Sequence, residues 1–319
     1  MARGDADFSA ATLLRQLKPW QALPLSDEPD ELDAYRRFYG FRPDTEHRIG
    51  RLAIGEHDIA VQAFLPEKPV GTAVVVHGYY DHVGLFVHLI EHLLDQGLSV
   101  LSFDLPGHGL SSGDRVTIDA FDTYVGVLRH VVTQVMQEDL RHFPGPCHLL
   151  GQSMGGAIAM EYVEQHGQAP FRSVTLFAPL IVPYLWKLNR IVFALAKPFL
   201  KTRPRGQGVN TDTAEFQKLR SVDPLQSQIL PLQWVQAMVN WKNRFIRYPE
   251  RPDFAPLIIQ GTGDRVVDWQ YNLSVLRRRY RPEVLEVPQA GHHLVNENAE
   301  RRARMFAWLD AHIAWRNDA

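Results

Sequence analysis

This 319-residue chain has a single cysteine, a small net charge and no long apolar run. The single cysteine, Cys147, excludes an internal disulfide and fits a reducing compartment, so we expect a cytoplasmic protein. Cys147 also stands at the start of a predicted strand, which favours a buried structural thiol over a reactive one.

Other absences narrow the class of protein further. A formal net charge of -2 gives no general attraction to nucleic acid. Residues 1–17 have no continuous apolar segment, so we expect no secretory signal peptide, and no run approaches the roughly 20 apolar residues of a membrane span. His77 and His82 lack further ligands at zinc-like spacing, so neither a metal nor another cofactor is expected.

Short apolar segments alternate with helical periodicity along most of the chain. The predicted strands are Arg48–Ile54, Ile59–Phe64, Thr72–His77, Leu98–Phe103, Cys147–Gly151, Ser173–Ala178, Pro256–Gln260 and Val284–Val287. A turn at residues 55–58 joins the first two strands and predicts a hairpin. Continuous apolar strands separated by helices are typical of a mostly parallel sheet with helices on both faces, which is an α/β fold.

The alternation stops between Pro179 and Pro252, where Trp, Phe, Leu and Arg follow helical periodicity. Because this segment lies between two predicted strands, we interpret residues 179–252 as a helical cap over the carboxyl edge of the sheet. Open α/β folds bind their ligands at that edge. The other predicted divisions are an N-terminal extension at 1–45 and two parts of the core at 46–178 and 253–319.

A Gly-x-Ser-x-Gly motif at residues 151–155 lies between an apolar strand and a predicted helix. A serine on such a sharp turn projects its hydroxyl out of the sheet, and the glycines let the backbone fold tightly beneath it. This context predicts that Ser153 is a nucleophile.

A serine nucleophile needs a base, and the base needs an orienting acid. Asp264 lies in a Gly-rich turn directly after a strand and is the predicted acid, whereas Asp268 is expected to cap the following helix. Among 14 histidines, His292 and His293 lie in the loop after the last strand, and their positions leave both open as the base.

Acyl transfer also requires donors for the developing oxyanion. The backbone N–H of Met154, directly after the serine, is one predicted donor. The loop after the third strand supplies the other, and since Gly78 permits a tight turn there, we expect the Tyr79 N–H to fill this role.

Four motifs in this order resemble the α/β-hydrolase superfamily, and within it the monoglyceride lipase and lysophospholipase group. The motifs span residues 77–86 (His-Gly-x-x-x-His-x-Gly-x-aromatic), 104–113 (Asp-x-x-Gly-His-Gly-x-Ser-x-Gly), 151–156 and 261–264. The resemblance implies Ser153 as nucleophile, Asp264 as acid and a histidine of the loop after the last strand as base. A His-x-x-x-Asn-Glu ending is frequent in the group, and it matches His292 rather than His293.

The resemblance implies a serine hydrolase that cleaves carboxylic esters of lipid-like substrates. Monoacylglycerols and lysophospholipids are the first candidate substrates. A hydrolase of another bond, such as an aminopeptidase on small peptides, is the first alternative, because this fold serves many chemistries. The second is a non-catalytic binding protein on the same scaffold.

The predicted cap combines basic and apolar residues. Residues 180–206 contain six basic residues and no acidic one. On a helical wheel Lys187, Arg190 and Lys197 share one side, opposite an apolar face, and Pro198 is expected to end the helix. That pattern fits a helix at a membrane surface, or one whose apolar face packs on the core. Trp186 and Phe193 are the predicted contacts for substrate.

Overall fold

The computed structural model describes residues 3–4, 7–20, 30–196, 199–206 and 213–316. Its strands, in chain order, are β1 (Glu46–Ile54), β2 (His57–Leu65), β3 (Gly71–Val76), β4 (Leu98–Phe103), β5 (Cys147–Gln152), β6 (Phe171–Phe177), β7 (Thr202–Pro204), β8 (Ile229–Pro231), β9 (Leu257–Gly261) and β10 (Glu283–Val287). All strands except β7 and β8 form one sheet, in the order β1-β2-β4-β3-β5-β6-β9-β10.

The helices surround this sheet. They are α1 (Ala10–Gln16), α2 (Leu32–Tyr39), α3 (Val87–Asp95), α4 (Phe121–Val131), α5 (Met154–His166), α6 (Trp186–Ala196), α7 (Ala214–Val222), α8 (Leu232–Phe245), α9 (Trp269–Arg279) and α10 (Ala299–His312). A π turn at 132–136 follows α4. None of the described helices is both long and apolar enough to cross a membrane.

The prediction of a mostly parallel sheet is confirmed. From β4 to β10 the neighbouring strands are parallel, and only the β1–β2 and β2–β4 pairs are antiparallel. The β1–β2 turn is tighter than the expected 55–58, since Ile54 pairs with His57 and leaves a two-residue loop. Gly55 has φ 59° in that loop, a conformation that glycine adopts without strain.

Both faces of the sheet are covered, as the continuous apolar strands predict. On β3, Val74 and Val76 join the core cluster that includes α4, α5 and α8, while Ala73 and Val75 join the cluster that includes α2, α3 and α10. The central strands therefore have no solvent-facing side, which explains why they lack polar alternation.

The loop after β3 and the loop after β5 meet at the centre of the sheet's carboxyl edge. The chain proceeds from β3 to β4 on one side, and then returns to β5 on the other side of β3. Such a reversal leaves a crevice between the two loops, and ligands of open α/β folds bind in this crevice.

The segment between β6 and β9 contains α6, α7 and α8 together with the antiparallel β7–β8 pair. The predicted helices are present, but this small sheet was not expected from the sequence. Its strands are three residues long, too short to display the alternation on which strand prediction depends.

A buried cluster of polar groups ties this segment to the core. Asp223, at the end of α7, accepts hydrogen bonds from Tyr39 Oη (2.8 Å) and from the Leu225 amide (2.9 Å), and it pairs with His82 Nε2 at 2.8 Å. Burial lowers the pKa of His82, but the facing Asp223 carboxylate outweighs burial and raises it. Burial likewise raises the pKa of Asp223, and His82 then brings it below its usual value.

The Asp223→Asn variant should therefore lose stability in a pH-dependent way. A raised histidine pKa stabilises the folded state below 6.5 and loses its effect as pH rises, while a lowered carboxyl pKa stabilises it above 3.8. Between pH 3.8 and pH 6.5 we expect the variant to lose about 3–5 kcal/mol of unfolding free energy. This loss should become smaller as the pH rises above 6.5. Urea unfolding from pH 4.5 to 8.5 measures this curve.

Glu286→Gln is the matched control, because Glu286 pairs with Arg277 on the exposed surface. Its cost should stay within about 1 kcal/mol at every pH. An Asp223→Asn penalty that does not change with pH would contradict the assigned ion pair.

Candidate active site

Ser153 occupies a strained turn between β5 and α5. Its backbone has φ 54° and ψ -110°, which is rare for a residue with a side chain and is typical of functional turns. The Ser153 amide donates to Phe177 O (2.8 Å), and its carbonyl accepts from Leu180 N (3.1 Å). These bonds to the chain after β6 hold the turn, and they leave the hydroxyl directed away from the strand.

Glycine is required around this turn. A Cβ on Gly151 would lie 2.5 Å from Gly155 O, and a Cβ on Gly155 would overlap Val76 O and lie 2.7 Å from His77 O. The first turn of α5 therefore packs directly on the end of β3, and this contact places Ser153 beside the loop that follows β3.

Ser153, His292 and Asp264 form a continuous chain of hydrogen bonds. His292 Nε2 lies 2.9 Å from Ser153 Oγ, and His292 Nδ1 lies 2.7 Å from Asp264 Oδ2. A carboxylate only accepts, so the ring carries its proton on Nδ1 and Nε2 accepts from the serine hydroxyl. Gln152 Nε2 donates to the His292 carbonyl (2.9 Å) and helps to fix this loop.

Asp264 is held by the turn after β9. Its Oδ1 accepts from the Val266 and Val267 amides at 2.8 and 3.0 Å. Burial raises the pKa of Asp264, but His292 and these amide bonds outweigh burial and keep it below its usual value. Asp268, the competing carboxylate, caps α9 by accepting from Tyr271 N, as expected.

The two adjacent histidines have different partners. His293 Nε2 lies 3.2 Å from Asp81 Oδ2, and its ring packs against Phe216 of α7. Burial raises the pKa of Asp81, yet the facing His293 lowers it overall. Of the two histidines, His292 is thus the one placed against Ser153. Asp81 was missed from the sequence, because the chain separation of this pair leaves no spacing signal.

The loop after β3 lies against Ser153. A Cβ on Gly78 would be 3.3 Å from Ser153 Cβ and 2.6 Å from Asp81 Oδ2, so only glycine fits there without displacement. Met154 begins α5, where the first backbone N–H groups have no partner within the helix. The two predicted oxyanion donors, Tyr79 and Met154, therefore come from segments that meet beside the serine.

His77 fixes this loop with both of its ring nitrogens. Its Nδ1–H donates to Gly78 O (2.7 Å), and its Nε2 accepts from Leu105 N (2.9 Å). Burial lowers the pKa of His77, which favours this neutral form. Within the described part of the chain, no group of three or more His, Cys, Asp or Glu side chains is arranged to hold a metal ion.

The Tyr79 side chain connects the loop to α8. Its ring stacks on Trp234 with centroids 3.7 Å apart, and its hydroxyl donates to Val116 O (2.7 Å). A shift of α8 would therefore act directly on the segment that carries the Tyr79 amide.

Trp186 and Phe193, the predicted substrate contacts, both lie on α6. They are half-buried on the inner side of α6 and line a groove of about 420 Å³ against α8, and the residues that line this groove include neither Ser153 nor His292. Their contact with substrate stays a prediction. Lys197 and Pro198, assigned to the basic side and the end of this helix, lie outside the described residues.

Comparison with known proteins identifies the family. Residues 67–299 match the hydrolase family described as serine aminopeptidase, S33. Human monoglyceride lipase is 30% identical over 72% of this chain and 78% of that protein, and the phospholipase YtpA of Bacillus subtilis is 25% identical over 67% and 86%.

A solved structure agrees with this assignment at the level of fold. The monoglyceride lipase of Saccharomyces cerevisiae, a soluble variant in complex with a substrate analog, has a TM-score of 0.71 at 18% identity. The match covers 84% of this chain and 96% of the yeast chain. The resemblance recognised in the sequence is confirmed: the chain belongs to the serine aminopeptidase S33 family of α/β-hydrolases.

Proposed function

We propose that this protein is a serine hydrolase that cleaves carboxylic esters of lipid-like substrates, monoacylglycerols or lysophospholipids, through an acyl-enzyme. The observation that carries the proposal is the unbroken chain from Ser153 Oγ through His292 to Asp264, at 2.9 and 2.7 Å. A hydroxyl bonded to an oriented imidazole can lose its proton as it attacks a carbonyl carbon.

Each group then has one role in the reaction. His292 accepts the serine proton during attack and returns it to the leaving alcohol, while Asp264 holds the ring and stabilises its charged form. The amides of Met154 and Tyr79 bind the oxyanion. Water then attacks the acyl-enzyme with His292 as base, which releases the fatty acid and restores Ser153.

The choice of a lipid ester follows from the relatives and from the surroundings of the site. The relatives named above are a monoglyceride lipase and a phospholipase, while the family description includes an aminopeptidase. The Tyr79–Trp234 stack beside the loop next to Ser153 suits an acyl chain better than a charged peptide terminus. The intact hydrogen-bonded chain counts against a non-catalytic scaffold.

Replacing Ser153 with alanine should lower kcat for 1-acylglycerol hydrolysis at least about 10³-fold, since the nucleophile and its base act as a unit. His292→Gln should cause a loss of similar size. His293→Gln is the matched control, because His293 is equally buried but pairs with Asp81, and it should cost far less. Free fatty acid release measures all three.

The same assay should include short-chain esters and aminoacyl amides. Faster turnover of the amides would favour the aminopeptidase alternative. Unchanged ester turnover in a folded Ser153→Ala variant would contradict the proposal.

We also propose that the outer side of the cap rests on a lipid surface. Many apolar side chains of this segment are exposed: Tyr184, Leu185, Leu188, Ile191, Val192, Leu195, Phe199 and Leu200. Leu195 is 70% exposed and Phe199 85%. Exposed apolar side chains that are this frequent in one segment mark an interaction site, and the exposed Lys187 on the same helix would attract anionic lipid. A cytoplasmic location, predicted from the single cysteine, is compatible with such transient contact.

A double variant, Leu188→Ser with Leu195→Ser, should weaken binding to anionic vesicles at least about tenfold, because each leucine loses about 1.5–3 kcal/mol of transfer free energy. Sedimentation with phosphatidylglycerol-containing vesicles measures this. Leu140→Ser removes an equally exposed leucine from outside this segment and should bind like the unaltered protein. Equal binding by all three proteins would contradict the contact.

A further inference from the structure

A buried carboxylate on α5 holds one end of α8 in place. Glu161 lies about two turns of α5 after Ser153, and its side chain is fully buried. Its Oε2 accepts from Trp241 Nε1 at 3.0 Å, and its Oε1 accepts from Arg244 Nη2 at 2.8 Å and from Tyr248 Oη at 2.9 Å. Trp241 and Arg244 belong to α8 and Tyr248 follows it, so these three donors fix the carboxyl end of α8 to the helix that begins at the nucleophile.

The contacts of Glu161 are those of an ionised carboxylate. A fourth side chain, Gln165 Nε2, also donates to it at 2.8 Å, and a carboxylate that only accepts suits four donors. Arg244 in addition bonds Asp122 of α4 at 2.9 and 3.1 Å. Burial lowers the pKa of Arg244, but Glu161 and Asp122 outweigh burial and raise it. The end of α8 is therefore held by charge-assisted hydrogen bonds, which are about twice as strong as neutral ones.

The other end of α8 carries Trp234, whose ring stacks on Tyr79 with centroids 3.7 Å apart. Trp234 and Trp241 are about two helical turns apart, so they lie on the same side of α8. Phe121 of α4 lies beside both, with its ring centroid 5.0 Å from that of Trp241 and 6.3 Å from that of Trp234. Each of these rings is buried or half-buried. A displacement of α8 at its Glu161 end would therefore reach Tyr79 through closely packed rings.

Tyr79 is the residue at which such a displacement would affect the reaction. Its amide is the predicted oxyanion donor, and the preceding Gly78 lies against Ser153. A donor stabilises the oxyanion only within about 2.7–3.1 Å, and a misplacement of about 1 Å can lower a rate about 10²-fold. Since α5 carries Ser153 at its start and Glu161 further along, one helix would set the position of the nucleophile and, through α8, that of the facing amide.

We propose that Glu161 is a positioning residue for the reaction: it fixes α8 to α5, holds Trp234 against Tyr79 and so keeps the Tyr79 amide where the oxyanion forms. This inference rests on the proposed function and adds to it a residue that does not touch the substrate. The sequence gave no sign of this role, because Glu161 and Trp241 are 80 residues apart. The oxyanion forms only when the ester is attacked, so loss of Glu161 should lower kcat and leave KM nearly unchanged.

The test measures kcat and KM for 1-octanoylglycerol, below its micelle concentration, with the full chain and with Glu161→Gln. In this variant the amide oxygen can keep the Arg244 and Tyr248 donors, but the amide NH2 then faces the Trp241 N–H, donor against donor. We expect kcat to fall at least about tenfold, which is part of the loss of about 10²–10³-fold on removing one oxyanion donor, and KM to change less than about twofold. Trp241→Phe removes the same bond from the other side and should give the same pattern, also if Glu161→Gln does not fold.

Glu164→Gln is the matched control. Glu164 is a second largely buried carboxylate of α5, and it accepts from Arg279 Nη2 at 2.7 Å and from Tyr280 Oη at 2.6 Å, neither of which belongs to α8. Arg279 also donates to Tyr248 O, and the variant leaves this contact in place. Urea unfolding should show a loss of stability for both glutamine variants, but Glu164→Gln should keep the kcat of the unaltered protein.

A double-variant cycle tests whether Glu161 acts through Trp234. In Trp234→Leu the stack on Tyr79 is already lost, so the addition of Glu161→Gln should lower kcat by less than about twofold more.

The outcomes separate this inference from the function on which it rests. Unchanged kcat in Glu161→Gln, an equal loss of kcat in Glu164→Gln, a raised KM at unchanged kcat, or the full Glu161→Gln loss in the Trp234→Leu background would each overturn the positioning role. All four leave the ester hydrolase proposal standing. Absence of hydrolysis by the folded, unaltered protein would overturn both.

Discussion

The close packing of α5 on the end of β3 is the contact on which the site geometry depends. Gly155 has no side chain because the Val76 and His77 carbonyls occupy that space. This contact brings the Ser153 turn beside Gly78, and it sets the amides of Met154 and Tyr79 on adjoining segments. A residue with a Cβ at position 155 would separate the strand from the helix and move the nucleophile away from its neighbours.

Around this contact, buried carboxylate–histidine pairs hold the loops at fixed positions. Asp264 orients His292, Asp81 faces His293, and Asp223 joins the cap to His82 in the loop after β3. Each carboxylate is enclosed, so removing its histidine would leave a buried charge without compensation. The segment between β6 and β9 is therefore attached to the loop that carries the predicted oxyanion donor, both through Asp223 and through the Tyr79–Trp234 stack.

Much of the fold was predictable because its signals are local. Strand β4 was predicted at Leu98–Phe103, the bounds it has, since an unbroken apolar run with clear flanks identifies a buried strand. The Ser153, Asp264 and His292 loops each follow a strand, and parallel strands bring those loops to one edge. By contrast, His82 and Asp223 lie 141 residues apart, and no local pattern reveals such a pair. The pattern of α6 likewise gave two faces but not which residues the core would cover: Phe193 turns inward, while Leu188 and Leu195 face solvent.

The central claim is that Ser153 is a nucleophile activated by its neighbours. Reaction of the folded protein with a fluorophosphonate, followed by intact mass measurement and peptide mapping, tests this claim most directly. The account predicts one phosphonyl adduct per chain, located on Ser153, with the rate of labelling greatly reduced in His292→Gln. Absence of an adduct, or an adduct on another residue, would contradict it.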